Sequence, residues 1–81
     1  MPRLSSKVDK DQKLVKLGTA IRDRRREIGL TQEEMAGVAD IERSNMGKIE
    51  RGENNLSILN LVRIAEALDC KAADILFAAE I

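Results

Sequence analysis

Between Gln32 and Arg51 the chain reads QEEMAGVADIERSNMGKIER, and that stretch leaves few folds open. Helix formers from Gln32 to Val38 carry Met35 and Ala36 as their apolar points. Ala39-Asp40-Ile41 interrupts the run. A second segment then sets Met46 and Ile49 three residues apart, on one face of a helix. The spacing predicts two short helices joined by a tight turn. Ala36 is small enough to let them cross closely, and Asp40 stands where the chain must turn. Asp is among the few side chains that enter the left-handed region at modest cost. Ile41, Met46 and Ile49 then pin the second helix onto the first.

The opposite face of that second helix, expected from about Glu42 or Arg43 to Arg51, shows Arg43, Ser44, Asn45, Gly47, Lys48 and Arg51. These are donors or small groups, a surface that suits the major groove of DNA. An Arg in the first turn matches the O6/N7 pair of guanine, and Lys48 can reach a base or a phosphate. Gly47 costs about 1 kcal/mol of helix stability against Ala, a cost that close approach to DNA would explain. Glu42 has two open roles: accepting from an amide of its own helix, or from a cytosine N4 amine. After Gly52, which ends the helix, Arg51, Asn54 and Asn55 are candidates to hold phosphates; the Asn pair also fits plain turn chemistry.

The likeness extends outside this stretch. Through Leu17-Gly18, Ile21-Arg22, Gly29-Leu30-Thr31-Gln32, Ile49-Glu50-Arg51-Gly52 and Leu59 to Leu68, the chain resembles the Cro/C1-type (Xre) helix-turn-helix regulators of bacteria and phages. The run IERGENNLSILNLVRIAEALD resembles restriction–modification controller proteins and small phage repressors. The resemblance implies an all-α, compact five-helix bundle of the lambda-repressor-like DNA-binding type. It implies that Arg43 and Ser44 read base edges, that Gln32 touches a phosphate beside Thr31, and that Arg25 pairs inward with Glu50 as a structural ion pair. Asp40 replaces the family's usual turn glycine, and Lys71 its usual cap before the last helix. The function implied is a sequence-specific transcriptional regulator, a repressor or autoregulatory controller, binding an inverted-repeat operator as a homodimer. RNA polymerase is a further candidate partner. The competing reading is an antitoxin-type interaction module with secondary DNA binding.

The rest of the chain fits this frame. Residues 1–10 read as an N-terminal arm or frayed first turn, and residues 11–81 as the DNA-binding domain with C-terminal dimerisation helices. A first helix is expected from Asp9 or Asp11 to Ile28, with Leu14, Leu17, Gly18, Ile21 and Ile28 on one side and Gly29 ending it. Arg22, Arg24, Arg25 and Arg26 cannot all face one way, so three of them are expected at solvent or phosphate. Thr31 and Glu34 form a capping-box pattern that opens the second helix. Ser57 caps a fourth helix to Leu68, and a last segment runs from about Ala72 to Ala79. These carry more apolar surface than one core contact needs, which predicts a two-fold interface through Leu59, Ile75, Leu76, Phe77 and Ile81.

Composition limits the alternatives. With no Trp, no Tyr and one Phe in 81 residues, the core must be aliphatic. No apolar run approaches the roughly 20 residues that span a bilayer, so no membrane partner is expected. The single Cys70 fits a reducing cytoplasm and reads as a small hydrophobe between the last two helices. The net charge is zero but segregated: residues 1–26 hold nine Lys/Arg against three Asp. A segregated charge still presents a positive face to phosphates. With no His and no carboxylate pair beside a Gly-rich loop or metal-ligand spacing, neither an enzyme nor a cofactor is expected.

Overall fold

The computed structural model describes residues 11–81. The expected arm at residues 1–10, and a helix start at Asp9, lie outside the described residues. Five helices follow: α1 (Lys13–Glu27), α2 (Gln32–Ala39), α3 (Arg43–Arg51), α4 (Ile58–Ala67) and α5 (Ala72–Ala78). There is no strand among the described residues.

Several boundaries have a local cause. Thr31 Oγ1 accepts from the Glu34 amide at 3.0 Å, and the Glu34 carboxylate accepts from the Thr31 amide at 2.8 Å. That reciprocal bonding opens α2 and holds the Glu34 carboxyl below its ordinary range. Asp40 closes α2 in the left-handed conformation at φ 57°, as the sequence predicts. Gly52 closes α3 at φ 75°, and a Cβ there would lie 2.6 Å from the Val15 backbone, so only glycine fits on both counts. Ser57 Oγ accepts from the Asn60 amide at 3.1 Å to start α4. At α5 the Asp74 carboxylate accepts from the Lys71 amide at 2.9 Å, which supplies the cap that the Lys71 side chain has no acceptor to make.

The core is aliphatic. Ile21, Met35, Met46, Ile64 and Leu68 are completely enclosed, one or more from each of the first four helices, and Ile75 seals α5 against them. Burying each such side chain contributes about 1.5–3 kcal/mol. Two expectations fail here. Ile28 is exposed rather than on the buried side of α1, because the helix ends at Glu27 and Ile28 is its C-cap. Ile75 is 2% exposed and belongs to the core of the single chain, so it cannot form a surface contact. Cys70 is half-buried at an open groove of about 360 Å³ between α1 and α5, and burial pushes its thiol up from the ordinary value.

Candidate nucleic-acid interface

α3 is anchored from behind. Met46 and Ile49 enter the core, and Glu50 is the one buried charged residue among the described residues, at 4% exposure. Glu50 accepts from Arg25 Nε at 2.7 Å, Arg25 Nη2 at 3.1 Å and Gln32 Nε2 at 3.1 Å. Arg25 also donates to the Leu30 carbonyl at 3.0 Å, so one guanidinium ties α1, the α1–α2 loop and α3 together. The bonds to Glu50 strengthen the Arg25 guanidinium's hold on its proton. This cluster fixes where α3 points.

The outward side of α3 divides into free and engaged groups. Arg43 and Lys48 are exposed and make no side-chain hydrogen bond to another described residue. Ser44 Oγ donates to Glu42 Oε1 at 2.7 Å. Arg51 donates to Glu53 through Nε at 2.9 Å and Nη2 at 3.2 Å, an exposed pair at the end of the helix. Asn54 reaches back from the loop and donates to Asn45 Oδ1, while Asn55 is exposed.

Three expectations about this surface need correction. Gly47 is buried, not an open patch for DNA: a Cβ there would lie 3.2 Å from Arg51 Nη1 and 3.5 Å from Gln32 Oε1, the two side chains that cover it. Gln32 does not extend freely outward, because its amide is drawn in to Glu50. Glu42 is the N-cap residue of α3 but caps no amide, since its carboxylate bonds Ser44 instead. Among the arginines of α1, Arg24 donates to the carbonyls of Leu68 and Asp69, both at 3.3 Å, and so caps α4. Arg22 is half-buried, with Nε enclosed and unpaired among the described residues. Arg26 alone of the four is exposed.

Sequence reasoning missed Glu53 as the partner of Arg51, and it gave Asn54 to phosphate where the structure bonds it to Asn45. Opposite charges two residues apart signal the first pair. Nothing local signals the second, because the loop has to fold back over nine residues to make it.

The arrangement is thus two short helices crossing at an Asp turn, with the second held by a buried ion pair and its polar side outward. The family model described as Helix-turn-helix (HTH_3) matches residues 21–75, well over half of the chain. The chain belongs to the helix-turn-helix family, in its Xre type. A helix-turn-helix transcriptional regulator of Methanothermobacter thermautotrophicus, itself uncharacterised, is 42% identical over 50 residues, 62% of this chain and 72% of that protein. The restriction–modification controller protein C.AhdI of Aeromonas hydrophila superposes with a TM-score of 0.75 at 39% identity, over 76% of this chain and 94% of that one. The clp gene regulator ClgR of Corynebacterium glutamicum superposes with a TM-score of 0.82 at 29% identity, over 84% and 72%. Helix-turn-helix chains of this kind are transcriptional regulators, not enzymes. No helix among the described residues is long and apolar enough to cross a membrane.

Proposed function

We propose that this helix-turn-helix chain is a sequence-specific regulator that binds an inverted-repeat operator as a homodimer. Each α3 enters a major groove, with half-sites about 34 Å apart. The observation that carries the reading is the division of α3: Met46, Ile49 and Glu50 locked inside, Arg43 and Lys48 outside with no side-chain hydrogen bond to a described residue. Arg43 reads guanine, and Ser44 and Lys48 act beside it. Phosphates are held by Arg51, Asn55 and the start of α2, where Thr31 keeps a hydroxyl proton to donate and the first-turn amides lack intrahelical acceptors. Arg51 leaves Glu53 to do so, exchanging one anionic partner for another.

Selection of bound fragments from random duplexes, followed by titration of the selected site, tests this reading. Arg43→Ala is expected to cost about 1–3 kcal/mol and to relax preference at one base pair, whereas Arg51→Ala weakens all sequences alike and flattens the salt dependence. Equal losses on selected and scrambled duplexes for Arg43→Ala would move the reading face elsewhere.

Dimerisation uses the apolar side chains that the core leaves out. Phe77 is 86% exposed, Ile58 70%, Leu59 59% and Ile81 52%. Leu76 is half-buried beside them, packed on the core. Phe77→Asp is expected to convert the dimer to monomer in sedimentation while leaving the helical signal intact, since Phe77 contributes little to its own chain's core. A dimer unchanged by that charge would place the contact on another face, and capture of a toxin-like partner by the same surface would favour the antitoxin reading.

A further inference from the structure

Ser44 sits in the first turn of α3, and a hydroxyl has one proton to donate and two lone pairs. That proton is committed. Ser44 Oγ donates it to Glu42 Oε1 over 2.7 Å, a short bond to an ionised partner. Glu42 is itself exposed and caps no amide, and its second carboxylate oxygen accepts no hydrogen bond from a described residue. The two side chains therefore turn only acceptors outward: the Ser44 lone pairs and a carboxylate oxygen, with no side-chain proton left to give.

In the major groove the bases divide cleanly against such an edge. Cytosine N4 and adenine N6 offer a proton, whereas guanine O6 and N7 and thymine O4 offer lone pairs that an acceptor repels. Adenine adds N7 beside its amine, which would face the carboxylate; cytosine has only a C–H beside N4. We propose that Glu42 and Ser44 together form an acceptor-only reader that selects cytosine at one base pair of each half-site. The proposal rests on the DNA-binding reading above and specifies part of its code. Arg43, between them in sequence, brings only donors, so the first turn of α3 sets opposite hydrogen-bonding demands side by side.

The test is parallel selection from random duplexes with the wild-type chain, Glu42→Ala, Glu42→Gln and Ser44→Ala, then competition among all four base pairs at each enriched position. The wild type is expected to enrich a position held to cytosine, disfavouring guanine and thymine by roughly tenfold. Glu42→Ala frees the hydroxyl proton to swing outward, so guanine and thymine become acceptable at that position while the others stay as they were. Glu42→Gln keeps a carbonyl for the hydroxyl but turns an NH2 donor outward in place of the second carboxylate oxygen, so guanine and thymine become acceptable there too. Ser44→Ala leaves the Glu42 carboxylate as the sole acceptor, so it weakens the cytosine preference without admitting guanine or thymine. Base preferences in Glu42→Ala that match the wild type at every position would overturn this proposal and leave DNA binding standing. A wild-type chain that enriches no sequence would overturn the DNA reading and this inference with it.

Discussion

Glu50→Ala is expected to destabilise the fold by about 3–5 kcal/mol, measured by urea unfolding followed by circular dichroism. An 81-residue domain holds on the order of 4–12 kcal/mol in total, so the loss takes a large share of it. The cause is what remains after truncation. Glu50 accepts three hydrogen bonds, two from Arg25 and one from Gln32. Without it the Arg25 guanidinium, whose side chain is 11% exposed, keeps only the Leu30 carbonyl. A charge held out of water with one acceptor costs far more than the intact pair contributes. Replacing both partners with apolar groups of similar size, Arg25→Met with Glu50→Leu, is therefore expected to recover most of the loss. DNA affinity separates the two roles of the pair. If the pair's use is to aim α3, the double variant regains stability but not binding. Recovery of both would reduce the pair to a packing element.

Much of this architecture can be read along the chain, because helix ends are written in adjacent residues. Thr31 and Glu34 stand three apart and cap α2; Asp40 and Gly52 take the left-handed conformations that end α2 and α3. Met46 and Ile49 share a face and are both buried. The outer surface of α3 is less legible. Periodicity tells which Cα positions share a side of a helix but not which long neighbour folds over a small one, and so Gly47 disappears beneath Arg51 and Gln32. Hydrogen bonding of exposed polar groups is equally hidden when the partner comes from a loop, as Asn54 does for Asn45. Ile75 shows the same limit in the core. An apolar residue on a short terminal helix fits a seal or an interface equally well until the packing of α5 on α1 and α4 decides it.

Gly18→Ala is expected to destabilise the fold on the order of 3 kcal/mol, although the same exchange in a free helix stabilises it by about 1 kcal/mol. A Cβ at residue 18 would lie 2.5 Å from the Ile49 carbonyl oxygen and 2.8 Å from the Glu50 carbonyl carbon. Both are backbone atoms of α3 and have no rotamer by which to move aside. Relief requires α1 and α3 to separate, which would strain the Arg25–Glu50 pair two turns along α1 on the same face and loosen Gly52 from Val15. Gly37 supplies the internal control. It is exposed in α2, and a Cβ there meets nothing within 4 Å, so Gly37→Ala is expected to add about 0.4–1 kcal/mol. Opposite signs for one chemical change in two helices would isolate the α1–α3 contact as the cause. A neutral Gly18→Ala in urea unfolding would mean that the two helices do not approach so closely. α3 would then owe its orientation to the ion pair alone.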